Sequence, residues 1–418
     1  MAACIATLEA LRDVDPDDPA YVAVERAAAH LRKTAKKRRR VERQRDARTA
    51  DRAELAHTGR VQAYYGARGD APALGARMLR NQRRCYVCKQ PYRRVHGFYH
   101  MLCTACAERN FAARGDSVDL TGRRAIVTGG RVKIGCLAAI GLLRAGASVT
   151  ITTRFPRDAE ERFAACADLE GHRDRLSIVG LDFLDLRGVL AWIERELARG
   201  EPLDILVNNA AQTVRRPPAY YAALAAAERG ELPPALEEAH ALLFPPRLDE
   251  EGKPVDLRPI NSWTLDAAGV EPVELVEVHL VNAMVPFLLA QRLRPLMVKS
   301  TFRDRYIVNV SAMEGVFAYA NKQARHPHTN MAKAALNMFT RTSAQDYVAD
   351  GIYMNSVDTG WITQENPEPK KVRLESAGFC PPLDVVDGAA RVLAPILRGV
   401  RGAPIAGAFF KDYEPAPW

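Results

Sequence analysis

The sequence predicts an α/β protein whose main body is a doubly wound parallel sheet, preceded by a small metal-binding module and a basic helical arm. Three observations carry this. From Asp119 onward apolar runs alternate with helix-like segments. The first run ends in a glycine-bearing turn, Thr128-Gly-Gly-Arg-Val-Lys-Ile-Gly135, that opens directly into an apolar helix pattern. Ahead of it stand two C-x-x-C pairs, Cys85/Cys88 and Cys103/Cys106. The expected divisions are 1–80 for the arm, 81–117 for the cysteine module and 118–418 for the sheet.

The 418 residues are 48% hydrophobic and 26% charged, a globular composition long enough for two or three domains. No run of about 18 apolar residues stands out, so no membrane span is expected. The start, Met1 to Ala10, lacks the basic-then-apolar order of a secretory signal, which leaves a cytoplasmic protein as the expectation. The net charge of +9 is concentrated: Leu31 to Arg48 holds ten Lys or Arg against two acids. Residues 5–60 otherwise read helical, so this run is first a solvated, charge-laced helix. Contact with nucleic acid by counterion release is the alternative, without base stacking because no aromatic is interleaved.

The cysteine pairs are separated by fourteen residues. Two C-x-x-C knuckles brought together by a hairpin offer four thiolates to one ion, the ligand set of a closed, structural zinc site. His96 and His100 lie between the pairs, but four cysteines already complete the shell. The metal would fold a segment that lacks a core of its own. Partner binding through the module is a second reading.

In the body, strands are expected at Ala125–Val127, Ser148–Thr152, Leu176–Val179, Ile205–Val207, Tyr306–Val310, Ile352–Val357 and Pro404–Phe410. Helices are expected at Ile134–Ala145, Asp158–Leu169, Leu186–Arg199, Pro272–Val298, Asn330–Ala349 and Val385–Leu397. Such alternation means right-handed crossovers, a sheet covered on both faces, and ligands beyond the strand C-termini. A strand, glycine turn and helix in that order set a pyrophosphate against unpaired helix N–H groups.

These residues resemble the short-chain dehydrogenase/reductase family over the last 300 residues or so. Thr128–Gly135 looks like its T-G-x-x-x-G-I-G turn, with Lys133 at the middle glycine. Asp182-Phe183 is similar to the adenine-side acid after the third strand, and Asn208-Asn-Ala-Ala211 to N-N-A-G after the fourth. Asn282 falls at the helix asparagine, Lys333 at the lysine of Y-x-x-x-K, and Thr363 at the threonine that reaches the nicotinamide amide. The resemblance implies a Rossmann-type dinucleotide fold and a cofactor set of Thr128, Gly129, Arg131, Lys133, Ile134, Gly135, Arg154, Asp182, Phe183, Asn209, Ala210, Lys333 and Thr363. It also implies a homodimer or tetramer.

The second strand ends Thr152-Thr-Arg-Phe-Pro156 with no carboxylate for ribose hydroxyls. With Arg131, Lys133 and Arg154 nearby, NADP(H) is expected over NAD(H). The reaction residues depart from the family. Thr329 stands where the tyrosine acid should be, and Ala312 where the serine should be, with Ser311 one step away. The expected catalytic group is therefore Lys333, Asn282, Ser311, His328 and Thr329. Three readings remain open: another acid substitutes (Tyr319, His326 or His328), the chain binds NADP(H) without chemistry, or the reaction needs no such acid. The proline-rich insertion at 212–269 reads as a substrate lid or a protein-docking surface. Tyr413 and Trp418 read as core packing or as a pocket wall. The small-molecule substrate is not legible.

Overall fold

The computed structural model describes residues 1–66, 77–231, 242–245, 255–318 and 322–418. Tyr319, Pro233, Pro234 and the middle of the insertion lie outside the described residues. Two compact units divide the chain, Met1–Thr104 and Ala105–Trp418.

In the first unit, helix α1 (Ala2–Ala10) is followed by α2 (Pro19–Ala56), a 38-residue helix that contains the whole basic run. Asp18 caps α2 by accepting the Ala20 N–H at 2.7 Å, and Pro19 occupies its first turn, where a missing N–H costs nothing. Most of α2 is exposed; Asp51 and Leu55 are buried. Helix α3 (Gly59–Tyr64) leads to an antiparallel hairpin, β1 (Arg77–Arg84) and β2 (Pro91–Val95). Asp51 ties α2 to that hairpin by accepting the Arg80 and Asn81 N–H groups at 2.6 and 3.0 Å.

After α4 (Thr104–Ala113) the second unit alternates as expected: β3 (Arg124–Thr128), α5 (Lys133–Arg144), β4 (Ser148–Thr153), α6 (Pro156–Ala164), β5 (Leu176–Gly180), α7 (Leu186–Arg199) and β6 (Ile205–Asn208). The insertion begins with α8 (Pro218–Arg229). Then come α9 (Pro272–Val298), β7 (Arg305–Ser311), α10 (Pro327–Val348), β8 (Ile352–Asp358), α11 (Glu368–Ser376), α12 (Val385–Val400), β9 (Phe409–Lys411) and β10 (Glu414–Ala416).

The sheet order is β10-β9-β8-β7-β6-β3-β4-β5. Strand order reverses between β3 and β6, so the crevice for a ligand opens there. All pairings from β9 to β5 are parallel; the far edge is the exception, because β10 turns back antiparallel on β9. The sequence reading had placed only an aromatic tail there. Asp412 and Tyr413 both take positive φ, the backbone of a tight hairpin turn.

One apolar core lies between the sheet and helices α5 and α12, the other between the sheet and α7, α9 and α10. Helix α9 has the length and apolarity to cross a membrane, but its Leu289, Ala290, Leu293 and Met297 are fully packed in the second core. Trp418 packs on Phe409 at 5.8 Å, and Tyr413 lies under the Arg391 guanidinium at 4.9 Å.

Candidate active site and cofactor cleft

The glycine turn is shaped by close approach. Gly129 takes φ +66°, and a Cβ there would meet the Ala210 Cα at 2.9 Å. A Cβ on Gly130 would strike Ile151 at 2.6 Å, and one on Gly135 would strike the Gly129 carbonyl at 2.4 Å. Thr128 Oγ1 accepts the Asn209 and Ala210 N–H groups at 2.9 and 3.0 Å, while Asn209 Nδ2 donates to the Thr128 and Gly129 carbonyls. The Asn208–Ala211 stretch is thereby locked beneath the turn. Lys133 takes φ +53°, the conformation of the glycine it replaces. Its amine faces Glu365 at 3.8 Å, and Thr363 Oγ1 donates to that same carboxylate at 2.8 Å. One carboxylate thus links the first helix turn to the loop after β8. Ile134 is half-buried against the α5 core, and its side chain abuts Gly388 of α12.

At the end of β4, Arg131 pairs with Asp158, whose carboxyl is opposed by burial but held below its ordinary range by Arg162 and Arg131. Arg154 is exposed, stacks over Tyr221 at 4.5 Å, and has no acidic partner among the described residues. Helix α8 delivers two further groups here. Its Tyr221 lies 5.6 Å from Phe155, and the Glu228 carboxylate accepts the Arg157 and Asp158 N–H groups at 2.9 and 3.0 Å. A carboxylate from the insertion therefore sits on the α6 N-terminus, where anions are favoured. Beyond β5, Phe183 is buried and Asp182 accepts the Leu184 N–H at 2.9 Å.

On the other side of the switch point, β7 ends at Ser311, whose buried hydroxyl has no hydrogen-bond partner among the described residues. Thr329 Oγ1 is likewise buried and without a partner among the described residues. One helical turn later, on the same face of α10, Lys333 Nζ donates to the Val310 carbonyl at 2.7 Å. Burial pushes the Lys333 amine down to about 8, with Glu314 opposing that shift. Asn282 lies in a single π turn, Leu280–Met284, and clasps Gln212: Oδ1 accepts its N–H at 2.7 Å and Nδ2 donates to its carbonyl at 3.0 Å. His328 is only 1% exposed and turns its Nε2 toward Glu274 at 3.3 Å, off the line of a good hydrogen bond. Glu274 is opposed by burial yet held below its ordinary value by His328 and Ser262. His326 takes φ +42°, stacks flat on Trp263 at 3.9 Å, and approaches Asn330 Oδ1 at 3.1 Å. Ala312 follows β7, extended and half-buried.

Comparison with known proteins gives the family. The family described as short chain dehydrogenase matches residues 123–226, and the one described as enoyl-(acyl carrier protein) reductase matches 264–373, together more than half of the chain. The chain belongs to the short-chain dehydrogenase/reductase family. An uncharacterized protein of Acanthamoeba polyphaga mimivirus is 33% identical over 337 residues, covering 75% of this chain and 71% of that protein. The rhamnolipids biosynthesis 3-oxoacyl-(acyl-carrier-protein) reductase of Pseudomonas aeruginosa is 27% identical over 253 residues, 58% of this chain and 73% of that one. An NADPH-bound carbonyl reductase structure from chicken fatty liver shares 21% identity, covers 72% of this chain and 100% of its own, and aligns with a TM-score of 0.47.

Several residues of this family member were not legible beforehand. Glu314, in the turn Met313–Gly315 after β7, is a carboxyl raised by burial and by Asp358, with Lys322 and Lys333 opposing. Gly315 lets that turn touch α10: a Cβ would meet the Lys333 carbonyl carbon at 2.6 Å, and Asn337 Nδ2 donates to the Gly315 carbonyl at 3.1 Å. The glycine itself was the available signal. Beneath the site, Asn208, Asn309, Thr340 and Ser356 form a buried hydrogen-bonded chain across β6, β7, α10 and β8.

In the cysteine module, the sulfurs of Cys85, Cys88, Cys103 and Cys106 all lie within 4.8 Å of one another, and Cys88 and Cys103 are 3.7 Å apart. Tetrahedral zinc with bonds of about 2.3 Å sets its sulfurs about 3.8 Å apart. The donor set fits that ion. Neither His96 nor His100 joins the four-sulfur group.

Proposed function

We propose that the chain is an NADP(H)-linked oxidoreductase acting on a carbonyl or alcohol, with a proton relay rebuilt around Lys333 and without the usual phenol. The observation that carries this is a buried lysine with two buried, unpartnered hydroxyls, Ser311 and Thr329, beyond the C-terminal ends of the central strands. Unpartnered buried hydroxyls cost free energy unless a ligand completes them. NADP(H), when bound, supplies or accepts a hydride at the substrate carbon.

Thr128–Gly135 and Asn209–Ala210 cradle the diphosphate, Asp182 and Phe183 border the adenine, and Thr363 lies at the nicotinamide end. Arg154, without an acidic partner, supports a 2′-phosphate. Ser311 and Thr329 donate to the substrate oxygen. A threonine hydroxyl is a poor acid by itself, so the proton comes from Lys333, whose amine burial brings down to about 8; the amine turns from the Val310 carbonyl to the Thr329 hydroxyl, which takes that proton as it yields its own. Asn282 fixes the Gln212 backbone at the site's edge. His328, held against Glu274, positions the start of α10. The cysteine cluster binds one structural zinc and folds its hairpin. The insertion forms part of the substrate surface.

The test is turnover of NADPH on a carbonyl panel by the full chain. Lys333→Met is expected to lose about 10²- to 10⁴-fold in kcat/KM while NADPH still binds. His328→Gln tests the competing assignment of the acid; loss there as large as for Lys333→Met, with the pH profile moved to the imidazole range, would transfer the role to His328. NADPH binding without any turnover, and no gain with Thr329→Tyr, would make the chain a silent cofactor sensor. Zinc is checked by elemental analysis: one ion per chain, lost on Cys103→Ser.

A further inference from the structure

A groove on the sheet unit is built by three segments, one of them the end of the proline-rich insertion. The end of the insertion supplies Ile260, Leu265 and Asp266, the long loop before α10 supplies Arg325, and the start of α11 supplies Pro367 and Lys370. Specific bonds hold these segments at the site. The Leu265 carbonyl accepts the His326 N–H at 2.7 Å, Trp263 lies flat on His326, and Asn261 Nδ2 donates to the Glu365 carbonyl at 2.9 Å. His326 stands three residues before Thr329, and Glu365 two after Thr363. The groove is therefore tied to the segments that carry Thr329 and Thr363.

Its lining has two characters. Ile260, 62% exposed, lies with the half-buried Leu265 and the buried Pro367 as the apolar part of the lining. Arg325, Lys370 and the neighbouring Arg373 have no acidic partner within 4 Å among the described residues. They oppose one another: burial first, then Arg325 and Arg373, lower the Lys370 amine. Asp266 is the single carboxylate in the wall among the described residues, and it is engaged in capping the turn Ala267–Gly269 through the Gly269 N–H at 3.1 Å. Cations gathered around an apolar surface fit a ligand that brings its own anion on a short apolar body.

We propose that this groove holds an anionic group of the substrate, a carboxylate or phosphate at the end of an aliphatic chain, through Arg325 and Lys370. The chain then places its carbonyl or alcohol carbon toward Ser311 and Thr329. This rests on the oxidoreductase reading above.

The test titrates the full-length protein by calorimetry with hexyl phosphate, hexanoate, hexanol and inorganic phosphate. The expected result is saturable binding of an anionic amphiphile, with hexanol and inorganic phosphate each at least about tenfold weaker. The stronger of hexyl phosphate and hexanoate identifies the headgroup. Arg325→Gln with Lys370→Gln should weaken the anionic probe about tenfold or more and leave hexanol unchanged. Equal binding of hexanol, equal binding of free phosphate, or indifference to the double variant would overturn the proposal. NADPH affinity, measured on the same samples, separates the two readings. If NADPH fails to bind, the oxidoreductase assignment falls, whatever the groove does. If NADPH binds equally to wild type and double variant while the probes do not discriminate, only the groove assignment falls.

Discussion

Where β3 runs into α5 the cleft is made of backbone, whereas beyond β7 and β8 it is made of side chains. In the first region the decisive facts are distances that exclude a Cβ: 2.4 Å at Gly135 and 2.6 Å at Gly130. Lysine can replace one glycine there because the left-handed conformation, uncommon for a side-chain-bearing residue, is still adopted. In the second region the site consists of the Ser311 and Thr329 hydroxyls and a lysine buried near a carboxyl that is raised by burial. Backbone geometry tolerates a changed side chain so long as φ and close approach are met. Proton transfer depends on the pKa of the group itself, so the same degree of substitution alters the chemistry.

The loss expected of Lys333→Met is the largest effect, and it should fall on turnover and spare cofactor binding; equal loss of both would erase the distinction between the regions. Stability should also carry the mark of the buried amine. Its folded value is about 8 against an ordinary 10.5. Below pH 8 both states hold the proton and the folded protein bears the whole cost of a buried cation. Between 8 and 10.5 only the unfolded chain stays protonated, so stability gains as pH rises through that window. Relative to Lys333→Met, wild type should gain roughly 3 kcal/mol there, measured by urea unfolding at each pH. A flat difference would mean the amine is not desolvated.

The backbone region is broken by a methyl group. Gly135→Ala forces a Cβ against the Gly129 carbonyl, and it should cost about 1–3 kcal/mol of stability and most NADPH affinity. Retained NADPH binding would show that the turn is not the diphosphate cradle. A smaller effect belongs to Glu228, whose carboxylate holds the two N–H groups at the start of α6. Glu228→Gln removes a negative charge from the start of α6, on the helix that also carries Tyr221, the ring under Arg154, so it should tighten NADPH about threefold and NADH hardly at all. Equal shifts for both cofactors would place the 2′-phosphate elsewhere. Least of all, Lys133→Gly relieves a positive φ worth about 1 kcal/mol, and the thermal midpoint should rise slightly.

Strand and helix positions were largely legible, because apolar periodicity is a local property. Leu186–Arg199 and Pro272–Val298 fall where the pattern placed them. The antiparallel β10 was not, since three residues containing a proline carry no strand pattern. In the site, order and spacing pointed to Thr128, Asn209, Asn282, Thr329 and Lys333, while their partners came only with the fold: Thr128 under Asn209 and Asn282 against Gln212. That Arg131, read as a cation for the phosphate, pairs with Asp158 in the first turn of α6 was not legible, because the two lie 27 residues apart.

The sequence by itself determined the alternation that makes the sheet, the glycine turn at its switch point, the four sulfurs, and the absence of a phenol four residues before Lys333. Tertiary structure alone decided which carboxylates meet which partners. Glu228 reaches α6 from the insertion, Glu274 reaches His328 from α9, and Glu365 reaches Lys133 from beyond β8. The reason is physical: periodicity and turn chemistry act within a few residues, whereas the pairing of charges depends on where separate segments pack.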